Sequence, residues 1–222
     1  SFFAFNEEET NISDDKEYLI DNYVDYLKLF NGSSKFKIKG EASTVYLYSH
    51  KTSIRNIKKY ITSYEDLKII IILRNPIERA FSQYMLIAKF RRENLSFEEA
   101  IKAEKSRMEQ NYSYDYFYVD RGFYYKQVKD YRENFNNVRI YLYEELRDNS
   151  DKLIKNILGF LGVDDDYAIN TNIWHSISGV PKSKIVEKQI RSKGFAKKLI
   201  LRFFPNCFND AIVDIISKYN LN

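Results

Sequence analysis

An apolar run, "LKIIIIL", ends at Leu73 and is followed at once by Arg74, Asn75, Pro76, Glu78, Arg79 and Ser82. The run reads as a buried strand. Asn75 is a good helix cap, Pro76 fits the first helical position, and Glu78 suits the first turn. The expected product is a strand that feeds a helix N-terminus, where amides and the dipole attract anions. Arg74 arrives there with a guanidinium fork suited to phosphate oxygens. Ser82 lies about two turns into the helix and Arg79 is its neighbour three residues away. Arg74, Ser82 and the first-turn amides could converge on one phosphate. The plain alternative is that Arg74 pairs with Glu78 and Ser82 bonds back to its own helix.

The other residues with chemical potential are scattered. Glu41 follows Gly40 at the end of "KFKIKGEAS", expected to be a short alternating strand, so its carboxylate could face the ligand edge of the sheet or stay solvated in a turn. Lys182 and Lys184 flank Ser183 in a late loop, after Gly179 and Pro181, and either could cover a phosphate or remain solvated. His50 and His175 lie far apart, and Cys207 is the sole cysteine. That spacing excludes an intrachain disulfide and argues against a zinc site. No metal is expected.

Composition sets the outer bounds. The 222 residues are 44% hydrophobic, enough for one sizeable core, and only 7 Gly and 3 Pro argue against a linker or a fibre. The net charge of +4 suits an anionic ligand. Basic residues are interleaved with acids such as Glu98, Glu99 and Asp148, so no nucleic-acid stripe is expected. No stretch is apolar enough to span a membrane and no signal peptide is evident, which points to a cytoplasmic or membrane-peripheral protein. Abundant Asn, Lys, Ile and Tyr suggest a bacterium with low-GC coding. Many tyrosines gather in "NYSYDYFYVDRGFYYKQ", residues 111–127, which would line a groove or form a half-wet core layer.

The elements that must position these residues follow from periodicity. A helix is expected from about Asp15 to Phe30, and others over "SHKTSIRNIKKYI", "PIERAFSQYMLIAKFRR", "SFEEAIKAEKSR" and "YYKQVKDYRENF". Ser96 and Glu99 form a capping box for the third of these. "LKIIIIL" is apolar on both faces and belongs at the centre of a covered sheet. "NVRIYLYEEL" is a second strand running into an acidic turn. "SDKLIKNILGFLGV" is a helix stopped by Gly162. A loop follows from Asp164 to Ser183, then two helices separated by Pro205. Alternation of strands and helices predicts one α/β domain, residues 1–222, with a parallel central sheet flanked by helices.

Four segments resemble the sulfotransferases that use 3′-phosphoadenosine 5′-phosphosulfate (PAPS), most closely bacterial members and heparan-sulfate-type domains. "LRNPIERAFSQY" is similar to the family's 3′-phosphate signature. "KGEASTVYL" resembles "GEKSPxYL", "RGFYYKQVKDYRENFNNVRIYLYEELRDN" resembles "RGxYxxQLxxW", and "WHSISGVPKSK" resembles a cofactor-covering loop. They occur in family order. The resemblance implies a P-loop-kinase-like sulfotransferase fold and transfer of a sulfuryl group to a hydroxyl or amine, with adenosine 3′,5′-bisphosphate as product. It implies Arg74 and Ser82 as ligands of the 3′-phosphate, with Lys182, Lys184 and Arg79 as further cofactor contacts. It implies Glu41 as base, and Gly122 and Tyr124 on the side of the acceptor, a small molecule or glycan. Arg79 could instead support the helix start. The family's "KxGTT" or "KxGTS" loop for the 5′-phosphosulfate has no counterpart. "SFFAFNEE" resembles the segment that follows it, so that loop with its strand and helix is expected to be missing from this chain. A nucleotide kinase-like enzyme would need "GxxxxGK[ST]", which does not occur. A non-catalytic nucleotide-binding module is the remaining alternative.

Overall fold

The structure is a computed structural model that describes residues 2–4, 20 and 22–164. Eight α-helices, four short 3-10 helices and two strands are formed among these residues. Helix α1 spans Tyr23–Lys28, α2 Val45–Tyr48 and α3 His50–Tyr60. Strand β1, Lys68–Leu73, leads into α4, Pro76–Lys89, which is followed by α5, Phe97–Glu109. Helix α6, Tyr124–Asn134, precedes strand β2, Asn137–Leu142. Two helices follow, α7 at Tyr143–Asp148 and α8 at Ser150–Leu161. The strands pair in parallel, with Lys68 opposite Asn137 and Leu73 opposite Leu142. This is the expected α/β arrangement, in which the intervening helices form the crossover between parallel strands.

Local signals specify most boundaries. Asn75 accepts from the amides of Ile77 and Glu78 at 2.9 and 3.4 Å, ahead of Pro76 at the helix start. Ser96 and Glu99 form the capping box of α5. Gly162 ends α8 in the left-handed conformation at φ 73°, which a glycine adopts without a Cβ penalty. The carbonyls at that end accept from two lysines, Leu161 from Lys68 Nζ at 2.7 Å and Gly162 from Lys37 Nζ at 2.6 Å.

Three expectations require correction. Residues 35–43 form no strand. The alternation there has no buried face to serve, since Phe36 is 58% exposed and Lys37 instead reaches the end of α8. Strand β1 is not covered on both faces among the described residues, because Ile71 is buried while Ile72 is 45% exposed. An apolar run reads alike whether one face or two are covered, and the packing of neighbouring elements decides. The acidic turn after β2 is the short helix α7. Of the helix expected from Asp15, the described part is α1. The loop and helices expected beyond Asp164 lie outside the described residues.

Packing forms two apolar clusters. The larger joins Phe2, Phe3, Tyr26, Ile54, Ile57, Ile71, Tyr131 and Phe135. Phe2 stacks on Tyr26 with ring centroids 4.9 Å apart, and the Phe3 carbonyl accepts from Asn56 Nδ2 at 3.1 Å. Each buried phenylalanine contributes on the order of 1.5–3 kcal/mol. The smaller cluster joins Ala80, Ala100 and Tyr118, with Tyr84 and Phe97 against them. It locks α4, α5 and the tyrosine-rich segment together.

A buried ion pair borders the smaller cluster. The Glu93 side chain is 1% exposed and accepts from Arg107 Nη1 at 2.7 Å and Nη2 at 3.0 Å, and from the Tyr118 hydroxyl at 2.8 Å. Burial opposes ionisation of Glu93. The Arg107 guanidinium, the Leu95 amide and the Tyr118 hydroxyl outweigh it and hold the carboxyl below the usual carboxylate range. A depressed folded value contributes stability that is complete above the unfolded value of about 4.3 and is lost as pH falls through the folded value. Urea titrations at pH 7 are expected to show Arg107→Leu destabilised by about 3–5 kcal/mol, because it strands a buried carboxylate. Below about pH 4, Glu93→Gln is expected to lose less further stability than the parent chain. Parallel acid limbs for the two would contradict this assignment.

Candidate active site

The parallel register brings two strand ends side by side. Arg74 and Asn75 leave β1 where Tyr143 and Glu144 leave β2. The Arg74 guanidinium lies 4.9 Å from the centroid of the Tyr143 ring. The Asn75 amide donates to Glu144 Oε1 at 3.1 Å. Amides of Glu144 itself and of Asn75 hold the Glu144 carboxyl below its ordinary range. Tyr124, the first residue of α6, donates its hydroxyl to the Arg74 carbonyl at 3.1 Å. In open α/β sheets this carboxyl edge is where ligands bind.

Arg74 is held loosely. Its Nε and Nη2 both approach Glu78 Oε2 at 3.3 Å, longer than a good charge-assisted bond, and the side chain is 32% exposed. Such a surface pair is worth about 0–1 kcal/mol. A dianion bringing several oxygens would compete with it. The Ser82 hydroxyl, on half-buried α4 surface, has no hydrogen-bond partner among the described residues. Two first-turn amides that the sequence offered to an anion are taken by the Asn75 side chain. Any phosphate here must therefore rely on side chains and the helix dipole more than on those amides.

Arg79 has a different setting. Its Nη1 donates to Gln83 Oε1 at 2.6 Å and its Nη2 to the Tyr118 carbonyl. Burial, then the nearby charge of Arg121, pushes its pKa down. This guanidinium braces α4 against the tyrosine-rich segment. Gly122 closes the turn Asp120–Gly122 against the start of α4. A Cβ built on it would lie 3.0 Å from Pro76 Cβ. The tyrosine-rich segment divides accordingly. Tyr118 is fully buried, whereas its continuation exposes Phe123 at 68% and Tyr125 at 81%.

Glu41 lies in the irregular stretch before α2, exposed, and accepts from the Tyr46 hydroxyl at 2.7 Å. Burial and then this carboxylate raise the Tyr46 pKa, so the phenol stays a donor. Among the described residues Glu41 makes no hydrogen bond or ion pair with Arg74, Ser82 or Tyr124. Helix α2 connects the two regions, because Tyr48 donates to Asp120 Oδ2 at 2.6 Å while Tyr46 serves Glu41. Lys182, Lys184 and His175 lie outside the described residues. Two residues of the site went unrecognised in the sequence, Tyr143 and Glu144. The signal was present, since "LYEE" follows β2 as "LRNP" follows β1. Among the described residues no group of His, Cys, Asp and Glu could hold a metal ion, and no helix is long and apolar enough to cross a membrane.

Comparison with known proteins bears on the fold and the family. A sequence model described as the sulfotransferase domain matches residues 2–216. The crystal structure of a sulfotransferase from Alicyclobacillus acidocaldarius is similar, with a TM-score of 0.65 and 31% identity, over 84% of this chain and 73% of that chain. No curated protein matches.

The contact of Gly122 with Pro76 is open to a direct test. Gly122→Ala is expected to cost about 1–3 kcal/mol by forcing the turn and the α4 start apart. Thermal unfolding should register this as a lower midpoint. An unchanged midpoint would show that the two segments yield without strain.

Proposed function

This chain belongs to the sulfotransferase family, and from that premise we propose that its sulfuryl donor is PAPS and its acceptor a hydroxyl or amine of a carbohydrate or glycolipid. Sulfuryl transfer itself goes with the family. The donor reading rests chiefly on one observation. Arg74 stands at the carboxyl edge of the sheet, a third exposed, backed by the Tyr143 ring and loosely engaged by Glu78. A 3′-phosphate would displace Glu78 and take Arg74 together with the Ser82 hydroxyl. Lys182 and Lys184 would complete the grip. Arg79 acts from behind, by fixing the helix that carries Ser82.

The proposed reaction is an in-line displacement at sulfur. The acceptor oxygen forms a bond to sulfur as the bond from sulfur to the 5′-phosphate oxygen breaks, and adenosine 3′,5′-bisphosphate leaves. Glu41 receives the acceptor proton. Its exposure leaves the carboxylate reachable by a substrate hydroxyl, and the Tyr46 hydroxyl holds one of its oxygens in place. Gly122 and Tyr124 would define the acceptor side by backbone position, with the exposed rings of Phe123 and Tyr125 beside them. Aromatic faces suit a sugar ring, which supports a glycan acceptor.

Calorimetric titration with adenosine 3′,5′-bisphosphate and with adenosine 5′-monophosphate tests the donor. The bisphosphate is expected to bind more tightly, and Arg74→Ala to lose about 1.5–3 kcal/mol of that advantage, as removal of a charged hydrogen-bonding partner does. Equal affinities for the two nucleotides would remove PAPS as donor. For the base, Glu41→Gln is expected to lower turnover by about 10²–10⁴-fold while bisphosphate affinity stays unchanged. Turnover close to that of the parent would rule Glu41 out.

A further inference from the structure

Glu104 is an acidic residue in the middle of α5, 6% exposed. A buried carboxylate is costly unless its oxygens are satisfied. Here both are, by backbone. Oε2 accepts from the Val119 amide at 2.8 Å and Oε1 from the Asp120 amide at 2.7 Å. These lengths are those of charge-assisted bonds, and the carboxylate holds a single turn of chain from both oxygens.

The chain at that turn makes three contacts with the donor junction. Just before it, the Tyr118 carbonyl accepts from Arg79 of α4. Just after it, Gly122 abuts Pro76 at the first position of α4. Two residues further, Tyr124 donates to the carbonyl of Arg74. The Glu104 charge also favours the protonated form of Arg79, against the opposing effects of burial and Arg121. Arg121 itself lies against two aromatic rings, 5.6 Å from the centroid of Tyr48 and 5.2 Å from that of Tyr114. A second hold on the turn comes from the other side, where the Tyr48 hydroxyl donates to Asp120.

We propose that Glu104 is a positioning residue for sulfuryl-donor recognition, fixing through the 118–122 turn where Arg74 and the α4 N-terminus stand. Glu104 touches no ligand. It acts on the placement of the 3′-phosphate grip, so its loss should erode discrimination between nucleotides with and without that phosphate. The inference rests on the donor reading given above.

The test is the ratio of affinities for adenosine 3′,5′-bisphosphate over adenosine 5′-monophosphate, measured by calorimetry on the full chain and on Glu104→Gln. The amide keeps the shape of the carboxylate but can accept from only one of the two N–H groups without a clash, and it removes the charge. The ratio is expected to fall about tenfold. A purely structural role would reduce the fraction of active protein, which alters stoichiometry and leaves the ratio where it was. A ratio within a factor of two of the parent's would therefore overturn the proposal while leaving the donor site intact. If the parent shows no preference at all, the donor reading fails and takes this inference with it. Should Glu104→Gln not fold, Tyr48→Phe decides, since it frees the same turn by removing one oxygen. A ratio lowered about threefold is expected there, and an unchanged ratio would overturn the proposal.

Discussion

The parallel register of β1 and β2 is the constraint on which the site depends. With Leu73 opposite Leu142, the residues that leave each strand are neighbours although about 70 positions separate them in sequence. A slip of one residue would turn every side chain of β2 to the opposite face and move Tyr143 away from Arg74. The backbone bond from Asn75 to Glu144 pins the same alignment beyond the strand ends. Arg74 is thus shaped from two directions, by its own helix start and by a ring delivered from the second strand.

Around that junction the protein places buried charge where a simpler core would place apolar residues. Glu93 with Arg107, and Glu104 with two amides, both originate at or near α5, and both act on residues 118–120. Replacing both members of a buried pair such as Glu93 and Arg107 by well-packed hydrocarbon often costs nothing in stability. What hydrocarbon lacks is direction. A carboxylate that accepts from two adjacent amides fixes the course of the chain there, and the tyrosine-rich turn has little regular structure of its own to do so.

The sequence was informative wherever the determinant was local. The cap at Asn75, proline at the first position of α4, the Ser96–Glu99 box and the stop at Gly162 all lie within a few residues of what they control, and all are formed. The sulfotransferase domain was legible from four short segments in order. Alternation misled at residues 35–43, because period two describes a strand only when a partner and a buried face exist. The site was half legible. Arg74 and Ser82 stood out by type and spacing. The bracing role of Arg79, the ring of Tyr143 and the burial of Glu93 and Glu104 depend on partners 14 to 69 residues away in sequence, which no window can see.

The lysine caps on α8 carry a consequence for the electric field of the molecule. Lys68 opens β1 and Arg74 directly follows it, so the six-residue strand separates them by roughly 20 Å. At one end stands the positive pole of α4. At the other, the negative pole of α8 is neutralised by Lys37 and Lys68. The interval is about two screening lengths at physiological salt. An anion approaching the α4 end therefore competes with Glu78 and Glu144 there but meets little opposition from the distant α8 pole, and the strand serves as an insulating spacer as well as a scaffold.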